Sequence, residues 1–281
     1  MHINYLIEFK HNKTGLVGLI LITLIIMAAL GGPALSPHAP GGHSVNTLAA
    51  PSSEHWLGTN DVGQDIFSRL LAGARTSLLV AIGTAFFSTL LAVLVGLTAA
   101  LAGGMADAFL MRFTDALLTI PVVIMVVMVA AYVQPGIFSL IVILSLLGWS
   151  PGARVIRSQA LTLKESVHVY AARSFGGGTV HIALCHIIPD LFPILCVGFI
   201  QGARRAVFME AGLAFLGIAA MDTVSWGLML RHALEFCYLD AYKWWLLPTG
   251  FALSITILAF TLMGYCLEEI FDPRLRGHEN A

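Results

Sequence analysis

The sequence predicts an all-α, polytopic membrane protein with six transmembrane helices, and three observations carry that expectation. Only 11% of the 281 residues are charged while 58% are hydrophobic, whereas soluble domains average about 25% charged residues. The few charges are also clustered. None occurs from Thr14 to Ser53, from Thr76 to Ala106, from Ala116 to Ala153 or from Trp244 to Leu267, intervals of 24 to 40 residues, and about 20 apolar residues suffice to cross roughly 30 Å of hydrocarbon. Finally, 27 Gly and 11 Pro are ordinary in membrane helices, which tolerate both. A net charge of -1 gives no reason to expect nucleic-acid binding.

Residues 1–14 form a short N-terminus and 15–33 the first span, from Gly15 to about Leu30, closed by Gly31, Gly32 and Pro33. A secretory signal peptide is the rival reading, because Lys10 and Lys13 precede the run. Against it, the run exceeds the roughly 7 to 15 residues of a signal h-region and no good small-x-small site follows directly. Residues 34–75 read as an exposed Pro/Gly/Ser/His-rich loop and an interfacial segment, with Ile66, Phe67, Leu70 and Leu71 on one side of Trp56 to Leu78. The second span covers Ser77 to Leu101. The uncharged run Ala116 to Ala153 is too long for one helix and is broken near Tyr132, Gln134, Pro135 and Gly136, so it becomes a hairpin of spans three and four. Span five, about Leu191 to Leu216, is interrupted by Arg204, Arg205 and Glu210, and span six is Trp244 to Leu267. Five spans thus fill residues 76–268, leaving 269–281 as a tail.

Six spans put both termini on one side, and the Lys/Arg distribution decides which. Lys10, Lys13, Arg112, Arg154, Arg157, Lys164, Arg173, Arg274 and Arg276 fall on one side, against Arg69, Arg75, Arg231 and Lys243 on the other. Both termini and the connection from Pro151 to His186 are therefore expected in the cytoplasm. Trp56, Trp226, Trp244, Trp245 and Tyr132 then form an outer aromatic belt.

No Walker A loop is present, since Lys13 is the only Lys followed by Ser or Thr and no glycine lies in the residues just before it. No Ser/His/Asp or paired-carboxylate constellation sits in a soluble domain, so no catalytic residue is expected. Neither CxxC nor HExxH occurs, and Cys185, Cys196, Cys237 and Cys266 read as small apolar residues rather than a disulfide framework. Outer histidines His38, His43, His55 and His232 hint at a metal or metal-chelate substrate. Their scatter over two loops without ligand spacing argues against a metal site, and none is expected. His168, His181 and His186 read as surface residues.

The stretch from Arg157 to Asp190 is the most informative. Leu163 to Phe175 is expected to form a short helix with Ala171, Ala172 and Phe175 at helical spacing, ended by a left-handed Gly176. Such a helix suits docking into a groove on a partner, and an ordinary surface helix has the same pattern. In span five, Arg204, Arg205 and Glu210 are costly in hydrocarbon, about 2.5 to 3.5 kcal/mol each on insertion scales. Neither arginine stands at an ideal i,i+4 distance from Glu210. Three roles stay open for them: lining a translocation path, a salt bridge within the bundle or to another subunit, and snorkelling to the interface.

The run Tyr170-Ala171-Ala172-Arg173-Ser174-Phe175-Gly176, followed by Ile187-Ile188-Pro189-Asp190, resembles the EAA loop of permease subunits of bacterial ABC importers. Further blocks narrow the resemblance to the C-type permease of the dipeptide/oligopeptide/nickel group: His55 to Leu78, Asp107 to Asp115, Glu210 to Gly217, Ser225 to Leu230 and Asp272 to Arg276. The chain departs from the pattern at Tyr170, where an acidic residue is usual and Glu165 lies one to two turns earlier, and at Asn60 and Gln64, where Asp and Arg are common. The Pro-rich stretch usual before Ser225 is replaced by residues 220–224.

The resemblance implies a MetI-like ABC importer permease fold in the bacterial inner membrane, with residues 34–75 periplasmic and 154–189 a cytoplasmic coupling loop. It implies a homologous second permease subunit, two ATP-binding cassette ATPase subunits and a periplasmic substrate-binding protein as partners. ATP hydrolysis belongs to the partners, and no cofactor is expected in this chain. Glu165, Tyr170, Ala171, Ala172, Phe175, Gly176 and Pro189 become the ATPase-coupling residues, with Gly176 and Pro189 fixing a stiff elbow into span five. Substrates hosted by the group include short peptides, nickel, metal chelates and glutathione-like compounds. An ion-coupled secondary transporter and a non-transporting assembly subunit are the alternatives. The first needs ionisable residues buried in several spans, and the second needs no coupling helix.

Overall fold

The structure, a computed structural model, describes residues 5–133, 136–218 and 223–271. Gln134 and Pro135 of the expected hairpin break, residues 220–222 of the block before Ser225, and the motif Asp272 to Arg276 lie outside them. Among the described residues every regular element is helical. Four helical stretches are long and apolar enough to cross a membrane unbroken: Lys13–Gly32, Ile66–Ala102, Thr179–Phe215 and Asp240–Phe271. The count reaches six only when two bent helix pairs are each taken as one span.

Helix α1 (Tyr5–His11) leads into α2 (Lys13–Leu35) through Asn12. The Asn12 side chain caps α2 by accepting from Gly15 N–H at 2.8 Å and donates to Glu269 Oε2 at 2.6 Å. One side chain thereby satisfies an open amide at a helix start and joins the first membrane helix to the last. The central element is α3 (Ile66–Ala102), which packs against α2 and five later helices. Its buried positions are mostly small, including Ser68, Gly73, Ala74, Ser77, Ala81, Ala85, Ala92, Gly96, Ala99 and Ala100. Small residues let membrane helices approach closely enough for dispersion to hold them.

The expected interfacial segment is not a separate piece. Asp65 caps α3 by accepting from Ser68 N–H at 2.8 Å, and the 37 residues that follow are one helix. At 1.5 Å per residue it is about 55 Å long, well beyond the roughly 30 Å hydrocarbon.

The hairpin of spans three and four is longer and more bent than expected. Its first leg is α4 (Gly104–Thr119) and α5 (Val122–Val133), meeting at 83°. Pro121, which has no N–H and cannot continue a helix, stands at the bend, and its carbonyl accepts from Ile124 and Met125 to start α5. The second leg is α6 (Ile137–Gly148) and α7 (Ser150–Lys164), bent by 48° next to Pro151. Two ion pairs join the legs: Arg157 donates to both oxygens of Asp107, and Arg154 to Asp115 Oδ1 through Nε at 2.9 Å.

Helix α8 (Val167–Ser174) and the short α9 (Thr179–Ile182) follow. A π-helical turn at Ala183–Ile187 runs directly into α10 (Ile188–Phe215). Then come α11 (Trp226–Glu235), a 3-10 turn at Asp240–Lys243 and α12 (Leu246–Phe271), which holds residues 269–271 of the expected tail. The aromatic belt is only partly formed. Trp56 and Tyr132 are exposed, but Trp226 and Trp245 are buried in the core shared by α2, α3, α10 and α12. Trp226 Nε1 donates to Leu70 O at 3.0 Å, so that ring packs between helices rather than facing headgroups.

Candidate coupling surface and translocation path

The helix expected over Leu163 to Phe175 is two helices. Lys164 ends α7, Glu165 is its exposed C-terminal cap, and Ser166 precedes α8. The break turns α8 so that Val169 is fully buried against Ile156, Ala160, Ile182 and Ile187. Helical spacing then carries Val167, Tyr170 and, just past the helix end, Phe175 outward, with exposures of 85%, 72% and 93%. Ala171 and Ala172 are half-buried, and Ala172 packs against the same cluster as Val169. The outward face is therefore Tyr170 and Phe175 rather than the alanines.

Gly176 has φ +88° and nothing around its missing Cβ, so the left-handed backbone alone asks for glycine there. The next amide, Gly177 N–H, closes on Ala172 O at 2.9 Å. Pro189 does not open span five as expected, because helical structure already runs from Thr179. It sits in the first turn of α10 behind the π turn, where Ile188 N–H bonds five residues back to Ala183 O. A proline in a regular helix clashes with the carbonyl four residues earlier, and the wider turn relieves that crowding. The sequence also gave no sign that His168 Nε2 lies 2.9 Å from Asp190 Oδ2, joining α8 to the start of α10. His181 is exposed and His186 half-buried beside it, their rings 5.7 Å apart.

Glu210 is buried, 2% exposed. Ser77 Oγ donates to its Oε2 at 3.1 Å from α3, and the Ser225 hydroxyl also bonds it. Among the described residues neither Arg204 nor Arg205 forms an ion pair, so the intrabundle salt bridge with Glu210 is absent. Arg205 instead lines two adjoining cavities of about 290 and 250 Å³, which share Ser88, Gly148, Pro151 and Gly202. The first is closed by the bend of α4 and α5, through Leu117, Ile120, Pro121 and Val126, and by Leu144 of α6. The kinked hairpin and span five thus line a half-open, mostly apolar chamber with one guanidinium at its wall.

All four cysteines are free, Cys185 and Cys237 exposed and Cys266 buried. The outer histidines are not all scattered. His43 bonds Val62 O, whereas His38 and His55 stand with ring centroids 4.6 Å apart.

Residues 88–277 match the family model of the binding-protein-dependent transport system inner membrane component, and residues 5–51 match the N-terminal TM domain of oligopeptide transport permease C. A Brucella suis protein named as a peptide permease is 38% identical over 95% of this chain and 89% of its own length. The Bacillus subtilis oligopeptide transport system permease protein OppC is 34% identical over 96% of this chain and 89% of its own. The dipeptide transport system permease protein DppC of the same organism is 33% identical over 96% and 84%. With a matched core of this extent and helices throughout the regular structure of the described residues, the chain belongs to the binding-protein-dependent transport system inner membrane component family, as a membrane-spanning permease subunit rather than an enzyme.

Proposed function

We propose that this chain forms one half of the translocation path of a short-peptide importer. It pairs with a homologous second permease subunit, rests on two ATPase subunits through α8, and receives substrate from a binding protein on the opposite face. Both termini and residues 154–189 then lie in the cytoplasm, as the Lys/Arg distribution supports. The observation that carries this reading is the outward Val167, Tyr170 and Phe175 on and beside α8. Three exposed hydrophobic side chains grouped at one end of a membrane bundle suit a surface that a partner covers.

Coupling follows from stiffness. Val169, packed with Ile156 and Ala160, and the His168 pair with Asp190 hold α8 against α7 and α10, while the bond from Gly177 to Ala172 closes the end of α8 itself. Closure of the ATPases displaces α8, and the packed helices transmit a rigid-body tilt to the chamber at Arg205. A guanidinium forks onto a carboxylate through two parallel hydrogen bonds, which suits the C-terminus of a peptide. The peptide, dipeptide and oligopeptide names of the relatives favour peptides over nickel or metal chelates.

The test is uptake of a labelled dipeptide, and of nickel for comparison, by vesicles holding the assembled transporter. Phe175→Asp should leave the complex in the membrane but reduce uptake at least about tenfold, with ATP hydrolysis no longer stimulated by the binding protein. Arg205→Ala should reduce peptide uptake while leaving the ATPase attached. Normal uptake in Phe175→Asp overturns the coupling assignment, and nickel uptake without peptide uptake overturns the substrate class. Ala172 is the poorer probe, because a charge there disturbs the cluster around Val169 before it reaches the docking face.

A further inference from the structure

Residues 36–65 connect α2 to the N-terminal end of α3, whereas α7 and α8 meet the C-terminal end of α3, where Lys164 Nζ donates to Ala100 O at 3.2 Å. This connection is a built structure rather than a loose loop. Thr59, Asn60 and Asp65 are buried, Thr59 Oγ1 donates to Asn46 O at 2.7 Å, and Asn60 Oδ1 accepts from Gln64 N–H at 2.7 Å.

His38, Glu54 and His55 each bring one ligand atom to within 4.8 Å of the others. His55 is 6% exposed, and its Nδ1 lies 3.0 Å from Oδ1 of Asp65. The other Asp65 oxygen accepts from Ser68 N–H at 2.8 Å and from the Ser68 hydroxyl at 2.6 Å, so the carboxylate is fixed from both sides. A carboxylate accepting at Nδ1 places the proton there and leaves a lone pair on Nε2, the arrangement that orients metal-binding imidazoles. His38 Nδ1 is buried and has no hydrogen-bond partner, a condition that is rare in native structures and that an unseen ion accounts for. Glu54 is exposed and adds a mobile negative charge.

We propose that His38, Glu54 and His55 bind a zinc ion, with Asp65 orienting His55. Two imidazoles and one carboxylate suit zinc, tetrahedral with water in the fourth position. Metal–nitrogen bonds of about 2.0–2.1 Å require the three side chains, whose ligand atoms lie within 4.8 Å of one another, to turn toward a common centre. The ion clamps the start of the connection, at His38, onto the turn that caps α3. It therefore stiffens the face opposite α8 without entering the chamber at Arg205.

The experiment uses the assembled transporter in lipid nanodiscs, stripped with a chelator, titrated with zinc alone and assayed for bound metal. Cobalt substitution, read by visible absorption, reports tetrahedral coordination. The expected result is one zinc per copy of this chain, with His38→Ala and Glu54→Gln each weakening binding at least about tenfold and assembly unchanged. His55→Ala also strips Asp65 of its partner, so His38→Ala is the deciding variant. If that variant fails to assemble, the exposed Glu54→Gln decides. A second candidate for zinc is the pair of Cys185 Sγ and His181 Nδ1, 3.6 Å apart, so Cys185→Ser should leave the zinc content unaltered. No stoichiometric zinc on the wild type, unchanged affinity in His38→Ala, or loss of zinc in Cys185→Ser instead overturns the proposal.

Discussion

Glu210 and Arg205 stand five residues apart in α10, and their surroundings give them opposite roles. Glu210 accepts from Ser77 across the α3 interface and is closed off from solvent, so it fastens one membrane helix to another. Replacing it by Ala leaves two buried hydroxyls without their acceptor, which costs about 1–3 kcal/mol. Glu210→Ala should therefore lower the thermal midpoint of the purified complex, and Glu210→Gln, which keeps an acceptor, should lower it less. Equal midpoints for Glu210→Ala and the wild type would show that this carboxylate does not hold the helices. Among the described residues Arg205 has no ion pair, and it lines the cavities. The cost of charge in hydrocarbon marked both residues in the sequence, but not their division of labour. That depends on Ser77, which stands 133 residues from Glu210 and meets it only when α3 and α10 pack.

At the scale of elements, the contact of α3 with α7 sets the geometry of the coupling end. A Cβ on Gly96 would stand 2.5 Å from Ala153 O and 3.1 Å from Arg157 N, so the two backbones touch where only glycine fits. Gly96→Val should push α7 outward at a cost of about 1–3 kcal/mol or more, as overpacking typically does, and displace α8 with it. The measurement is the yield of assembled complex on native gels together with uptake; full assembly and normal uptake would contradict a tight α3–α7 seam. A short helix ending at Gly176 was legible from that glycine and the small residues before it. Its division at Glu165 and Ser166 was not, because the burial of Val169 against Ile156, Ile182 and Ile187 decides which way α8 turns. The π turn before Pro189 was likewise hidden. Proline signals a helix start as readily as a strained helix interior, and only the chain upstream tells the two apart.

For the whole molecule, orientation is the property on which transport depends. Cys185 and Cys237 are the exposed cysteines among the four; Cys185 lies in the π turn leading into α10 and Cys237 in the connection after α11. With the termini cytoplasmic, a membrane-impermeant maleimide should label Cys237 in spheroplasts and reach Cys185 only after permeabilisation. The reverse pattern would invert the topology and put α8 out of reach of ATP. The bent legs α4–α5 and α6–α7 also matter at this scale. Their ion pairs, Asp107 with Arg157 and Asp115 with Arg154, tie the two legs together at the α7 end, so motion of α7 carries the wall of the chamber with it. The loss of regular geometry at Pro121 and Pro151 is what opens space beside Arg205.

The sequence by itself determined that the chain is an all-helical membrane protein with a short helical connection, ended at Gly176, ahead of the span that carries Arg205 and Glu210. Hydrocarbon thickness and the cost of burying charge act on composition and spacing, which are local and readable. Tertiary structure alone decided that Tyr170 and Phe175 face outward while Ala172 packs inward, that Trp226 and Trp245 belong to the core, and that Arg205 borders a cavity while Glu210 is buried against Ser77. It also brought His38 beside His55, which their spacing in the chain gave no reason to expect. The physical reason is common to these cases. Each depends on which surfaces of distant helices or turns meet, and that is fixed by packing over the whole bundle rather than by any single segment.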